Sequence, residues 1–184
     1  EVEDDQNMNF KEREEIIIQK RISALKEILQ EKGLSGILEL SLKGDCASTI
    51  GFLLRRFVFS SDEESVQLIK LALESFKKDA HINYKNIIRG LLSESNDNIS
   101  LFESLSVCLD DSDKVQVYLQ SPFGSQVWCL VDSLDENYQQ AYWGEIVPSY
   151  CQNEDEAEEA VKYLLLADRP QTAFLYIDLI LKKI

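Results

Sequence analysis

The residues in this sequence able to do chemistry are few, and they are spaced far apart. His81 is the single histidine, set between Ala80 and Ile82 where two helical patterns meet. A histidine metal site would need carboxylates or thiols brought to it from distant positions, and a Cys–His dyad would have to use this one imidazole. His81 is therefore expected to be a surface or helix-capping residue. The four cysteines, Cys46, Cys108, Cys129 and Cys151, form no C-x-x-C pair, which predicts free, buried thiols in an intracellular protein rather than a disulfide framework. Asp110-Asp111-Ser112-Asp113 supplies carboxylates but lacks the alternating order and the later bidentate glutamate of a calcium loop. It reads as an acidic helix end and a cap. No G-x-x-x-x-G-K-[ST] or G-x-G-x-x-G phosphate cradle occurs. The sequence thus assigns no catalytic residue, no cofactor and no metal ligand.

Charge is distributed unevenly along the chain. The formal net charge is −14, which argues against a nucleic-acid backbone or an anionic membrane as the main partner. Residues 43–92 nonetheless hold eight Lys/Arg against six Asp/Glu, whereas Val115 to Val161 hold nine Asp/Glu and no Lys/Arg. Arg55, Arg56, Lys77 and Lys78 stand out in the basic middle. Tyr142 and Trp143 stand out among the aromatics of the acid-only stretch. These six are the candidate partner-binding surface, since opposite charge and aromatic side chains are what protein interfaces use. The alternative for the charges is a solvated helix face, and most aromatics at helical spacing belong to a core.

The elements that must position these residues are helices. Of 184 residues 45% are hydrophobic, with 7 glycines and 3 prolines; so few turn formers disfavour an all-β chain. No run approaches the roughly 18 apolar residues of a membrane span. Residues 1–9 read as a flexible acidic lead-in, and residues 10–184 as one helical domain. Apolar residues at three- and four-residue steps mark a helix from Phe10 to Lys32, which Gly33 stops. Leu34–Leu42 and Cys46–Phe59 follow, the latter capped by Asp45. Ser60-Ser61-Asp62-Glu63-Glu64 opens the next helix with a serine cap and acidic residues at the positive end of its dipole.

Asn83–Leu92 and Asn98–Leu109 come next. Asp113–Leu119 alternates like a short strand, but with helices on both sides helix is favoured. Ser125–Leu134, Glu136–Glu145 and Glu154–Ala167 follow, the last capped by Asn153. Arg169, Pro170 and Ala173 form a structural joint, with Pro170 in the first turn of a final helix to Lys183. Helices of this length joined by short loops predict an all-α fold of stacked antiparallel pairs, a short α-solenoid; a compact helical bundle is the alternative.

Ala160-x-x-Tyr163 and Ala173-x-x-Tyr176 are similar to the small-then-aromatic spacing of tetratricopeptide hairpins, so a degenerate TPR- or HEAT-like repeat is expected. "YWGEIVPSY" (142–150) followed by "AVKYLLLADRPQTAFLYIDLIL" (160–181) resembles the helical-repeat regions of large bacterial proteins related to antiviral STAND NTPases. The resemblance rests on Tyr142, Trp143, Pro148, Leu164, Leu165, Ala167, Arg169, Pro170 and Ala173. It implies a sensing scaffold, with any ATPase or nuclease activity in modules elsewhere.

The expected function is accordingly a non-enzymatic, cytoplasmic helical-repeat scaffold or sensor. Its partner would be another protein or neighbouring domains of the same chain, with neither nucleic acid nor membrane. The sequence begins at Glu1 without methionine and ends within a helical pattern, so it is expected to be a segment of a larger protein. The rival is a small helical enzyme or metal-binding bundle with Glu154, Glu158 and Glu159 facing inward. The missing Glu-x-x-His pairs count against it.

Overall fold

A computed structural model describes residues 10–94, 98–147 and 154–181. Expectations placed on residues 1–9, Pro148, Cys151, Asn153 and the end of the last helix at Lys183 lie outside those residues. Among the described residues the fold is all-helical, with no strand. The elements are α1 (Phe10–Ser41), α2 (Ala47–Leu53), α3 (Asp62–Asp79), α4 (Ile82–Leu91), α5 (Ile99–Cys108), α6 (Asp111–Tyr118), α7 (Ser125–Val131), α8 (Glu136–Glu145), α9 (Glu154–Leu166) and α10 (Pro170–Leu181).

Local chemistry sets most of the boundaries. Gly33 adopts φ 63, ψ −161 inside α1 and kinks it, so the two helices read from sequence join through one residue that only glycine accommodates easily. Glu64 closes the start of α3: its carboxylate accepts from the backbone N–H groups of Ser60 (2.7 Å) and Ser61 (3.3 Å), as a capping-box glutamate does. The alternating segment is helix, not strand. It starts at Asp111, two residues before its predicted start, because the Asp110 side chain accepts from the Asp113 N–H at 2.8 Å.

Other boundaries also differ from expectation. Cys46, not Asp45, occupies the cap position of α2, without a side-chain hydrogen bond. The helix read over Cys46–Phe59 also changes character: Leu54–Val58 form a wider π turn, closed by the Phe59 N–H on the Leu54 carbonyl at 2.8 Å.

Packing begins with a contact between backbones. A Cβ at Gly51 would lie 2.2 Å from the Ile87 carbonyl oxygen, and one at Gly90 would lie 2.0 Å from the Ser48 carbonyl oxygen. Helices α2 and α4 therefore cross with glycine against backbone on both sides, the closest approach two helices can make. Around the crossing Leu53, Leu54, Ile87, Ile88 and Leu91 are buried. Buried Asn83 ties α4 to the end of α1, its amide donating to the Ser41 (2.7 Å) and Gly44 (2.9 Å) carbonyls. Those carbonyls follow a helix end and would otherwise be unsatisfied.

The core continues through α5 to the second half, where the Phe102 and Tyr118 rings meet edge to face at 5.8 Å. Among the described residues the extensive helix packing joins elements at most three steps apart in chain order. The last two helices pack on each other as a pair.

Candidate functional site

Three of the four basic candidates are tied to other parts of their own chain. Arg55, in the π turn, pairs with Asp62 at the start of α3 and lies 3.5 Å from the Ser65 hydroxyl. Arg56 pairs with Glu94 beyond α4, and its guanidinium sits 5.4 Å from the Phe57 ring centroid. Lys77, at the end of α3, places its ammonium 2.7 and 2.8 Å from the two carboxylate oxygens of Asp113 in α6. Lys78 is exposed. Burial alone would raise the Asp62 carboxyl, but hydrogen bonds from Ser100 and Arg55 and the guanidinium's charge outweigh it, holding the carboxyl below its ordinary range. The basic middle thus works largely as a set of clamps between elements of its own chain.

Tyr142 and Trp143 require a correction. They are 1% and 3% exposed, so neither offers a side chain to a partner. Their positions on α8 turn inward because they sit where α7 and α9 converge. Trp143 lies 5.8 Å from Trp128 of α7 and stacks on Tyr163 of α9 at 4.8 Å, with the rings within 12° of parallel. Tyr163 completes the cluster by donating its hydroxyl to Asp132 at 3.0 Å. Burial pushes the Tyr142 phenol far above its ordinary range, which keeps it neutral. These aromatics are core.

Beside the cluster, the Arg169 corner is built as a joint. Asp168 has φ 55; its N–H donates to Leu165 O (3.2 Å), and the Arg169 N–H donates to Leu164 O (2.8 Å). This is the six-to-one, five-to-two pattern of a Schellman stop. The Arg169 guanidinium reaches back to donate to the carbonyls of Trp143 (3.1 Å) and Ile146 (2.6 Å). A cation is thereby placed on the negative end of α8. Pro170 opens α10, and Ala173 is buried.

The residues weighed for chemistry do not assemble. His81 caps α4, its Nδ1 accepting from the Asn83 N–H at 3.2 Å. Cys46, Cys108 and Cys129 are free, as expected, but exposed rather than buried. Glu154, Glu158 and Glu159 are all exposed. The inward face of α9 is instead Ala157, Ala160 and Leu164, so the inward carboxylates of the rival reading are not how this helix is turned. Among the described residues no three or more His, Cys, Asp or Glu side chains gather as a metal site would require.

Apolar side chains are also left open to solvent. On the α9–α10 hairpin Leu165, Leu166, Phe174, Leu175, Ile177 and Leu181 are all exposed, Leu166 and Phe174 by 76% and 66%. Phe174, Ile177 and Leu181 recur at steps of three and four, so they line one side of α10. The exposed carboxylates of Glu154, Asp155, Glu158 and Glu159 stand on α9 of the same hairpin. Sequence reasoning missed this surface because "AFLYIDLIL" is apolar nearly all round, and such a helix reads as core. Elsewhere a cleft of about 430 Å3 opens between α1 and α2, floored by Leu25, Ile50 and Leu53 with Arg21, Asp45 and Cys46 at its rim.

No protein-family model, curated protein or solved structure matches the chain. Among the described residues no helix is long and apolar enough to cross a membrane.

Proposed function

We propose that this chain is a non-enzymatic helical scaffold, stacked as a short α-solenoid, that binds a protein partner through the α9–α10 hairpin. The observation that carries the reading is the set of six large apolar side chains left in water on that hairpin. Several large apolar side chains exposed on one hairpin of a folded domain are the kind of surface that interaction sites use. The neighbour-to-neighbour packing along the chain is what a solenoid requires, each helix pair burying its stripe on the next. The partner's chemistry follows from the charge around the surface. The hairpin, residues 154–181, holds seven Asp/Glu against Lys162 and Arg169, so the complementary ligand is a cationic amphipathic helix, apolar on one side and Lys/Arg-rich on its flanks. The hairpin also contains most of the residues that resemble STAND-type repeat regions. In that setting it would be the sensing end of a larger protein.

The test uses two labelled helical peptides with the same Leu stripe, one flanked by lysines and one by glutamates, titrated into the chain and followed by anisotropy. The lysine peptide binds, and Phe174→Asp or Leu166→Asp weakens it at least tenfold. Equal binding of both peptides, or binding indifferent to these substitutions, contradicts the reading.

A further inference from the structure

The first half of α1 leaves apolar side chains exposed among mixed charges, four Lys/Arg against three Glu over residues 10–21. Of residues 10–21 only Ile18 is even half-buried; Phe10 and Ile17 are 75% and 48% exposed. Twelve helical residues with no buried face are marginal in water, since most helical stability in proteins comes from packing an amphipathic side on something. The helical spacing decides which side that is. Phe10, Arg13, Ile17, Lys20, Arg21 and Ala24 recur at three- and four-residue steps and share one face. Glu14, between Phe10 and Ile17, shares that face, while Glu12 and Glu15 fall behind. The face thus carries Phe10, Ile17 and Ala24 with three cations and one carboxylate, a net positive charge. At the other end of the fold, residues 154–184 carry seven Asp/Glu against four Lys/Arg, and one of those four, Arg169, is engaged by the carbonyls of α8.

From this complementarity we propose that the α9–α10 surface of one copy receives the first half of α1 from a second copy, so that the protein assembles head to tail. The proposal rests on the reading of the hairpin as a docking surface and names its occupant. Donor and acceptor are different patches of the chain. The contact is therefore heterologous: each copy can give its α1 and receive another, and the chain grows into a ring or an open filament. The cations of α1 approach the carboxylates of α9 across a solvated rim, so association weakens with salt.

Sedimentation velocity of the full chain, from micromolar towards millimolar concentration, tests this. Wild type grows beyond a monomer as concentration rises, and growth retreats when salt is added. Ile17→Asp removes the donor and Phe174→Asp the acceptor; both positions are exposed, so melting temperature is unchanged, and each variant alone stays monomeric. Mixed, the two give a one-to-one dimer, because the Ile17→Asp copy keeps its acceptor and the Phe174→Asp copy keeps its donor. Three results overturn the proposal: a wild type monomeric throughout, a mixture that forms no dimer, or an Ile17→Asp variant that assembles like wild type. A chain that binds the lysine peptide yet never self-associates refutes only this inference. A chain that does neither refutes the hairpin reading as well.

Discussion

Replacing Gly90 by alanine sets two effects of opposite sign against each other. Alanine is the better helix former by about 0.8–1 kcal/mol, so where there is room the change stabilises. At Gly90 the new Cβ would lie 2.0 Å from the Ser48 carbonyl oxygen and 3.0 Å from the Gly51 Cα. Carbon and carbonyl oxygen approach to about 3.3 Å without strain, so α2 and α4 must part by about 1 Å. Neither obstacle is a side chain that could rotate away. A gap of that size forfeits roughly a quarter to a half of each dispersion contact across it, and buried Leu53, Leu54, Ile87 and Leu91 surround the crossing. The net cost is about 3 kcal/mol, or roughly 6–12 °C in melting temperature for a domain of this size.

Gly51→Ala meets the Ile87 carbonyl oxygen at 2.2 Å and should cost about as much. The double variant should cost less than the sum, because one separation of the helices relieves both overlaps. Gly144 in α8 has nothing within 4 Å of an added Cβ, and Gly144→Ala should be neutral or slightly stabilising. Thermal and urea melts followed by circular dichroism read all four. If Gly90→Ala melts at or above wild type, the backbone crossing is not how these helices pack.

Three further outcomes follow from the same structure. Ala173→Leu forces apart the buried α9–α10 contact and should cost about 1–3 kcal/mol, seen as a lower melting temperature with helix content retained. Arg169→Ala removes the cationic donor from the Trp143 and Ile146 carbonyls and should cost about 1.5–3 kcal/mol, more than a surface arginine would; a melt within error of wild type would show the guanidinium idle. Asp62 has a carboxyl held low in the folded state, so its contribution is present above the ordinary aspartate range and is lost as pH falls through the lowered folded value. Arg55→Gln removes one cause of that lowering, so it should be less stable than wild type near neutral pH and lose less on acid titration, the two curves converging once Asp62 is protonated; superimposable acid limbs would exclude the clamp.

Much of the fold was legible because its signals are local. Gly33 as a break, the capped acidic start of α3, Pro170 as a helix start and His81 as a cap each depend on residues within a few positions, and each stands where those local rules place it. What sequence could not supply depends on which faces meet. Gly51 and Gly90 look like two weak points in unrelated helices until the helices cross on them. Tyr142 and Trp143 have the composition of an interface, and only the convergence of α7 and α9 makes them core. Arg55, Arg56 and Lys77 read as a basic patch because their acidic partners, Asp62, Glu94 and Asp113, lie 7, 38 and 36 residues along the chain. The exposed side of α10 was hidden for the opposite reason, since its residues are those of a buried helix.

The central claim, that the α9–α10 hairpin is the working surface, is tested most directly by hydrogen–deuterium exchange of the full chain with and without saturating lysine-flanked peptide. Exchange should slow chiefly in residues 154–181, with the glycine crossing of α2 and α4 unchanged. Protection that appears elsewhere while residues 154–181 exchange as before would contradict it.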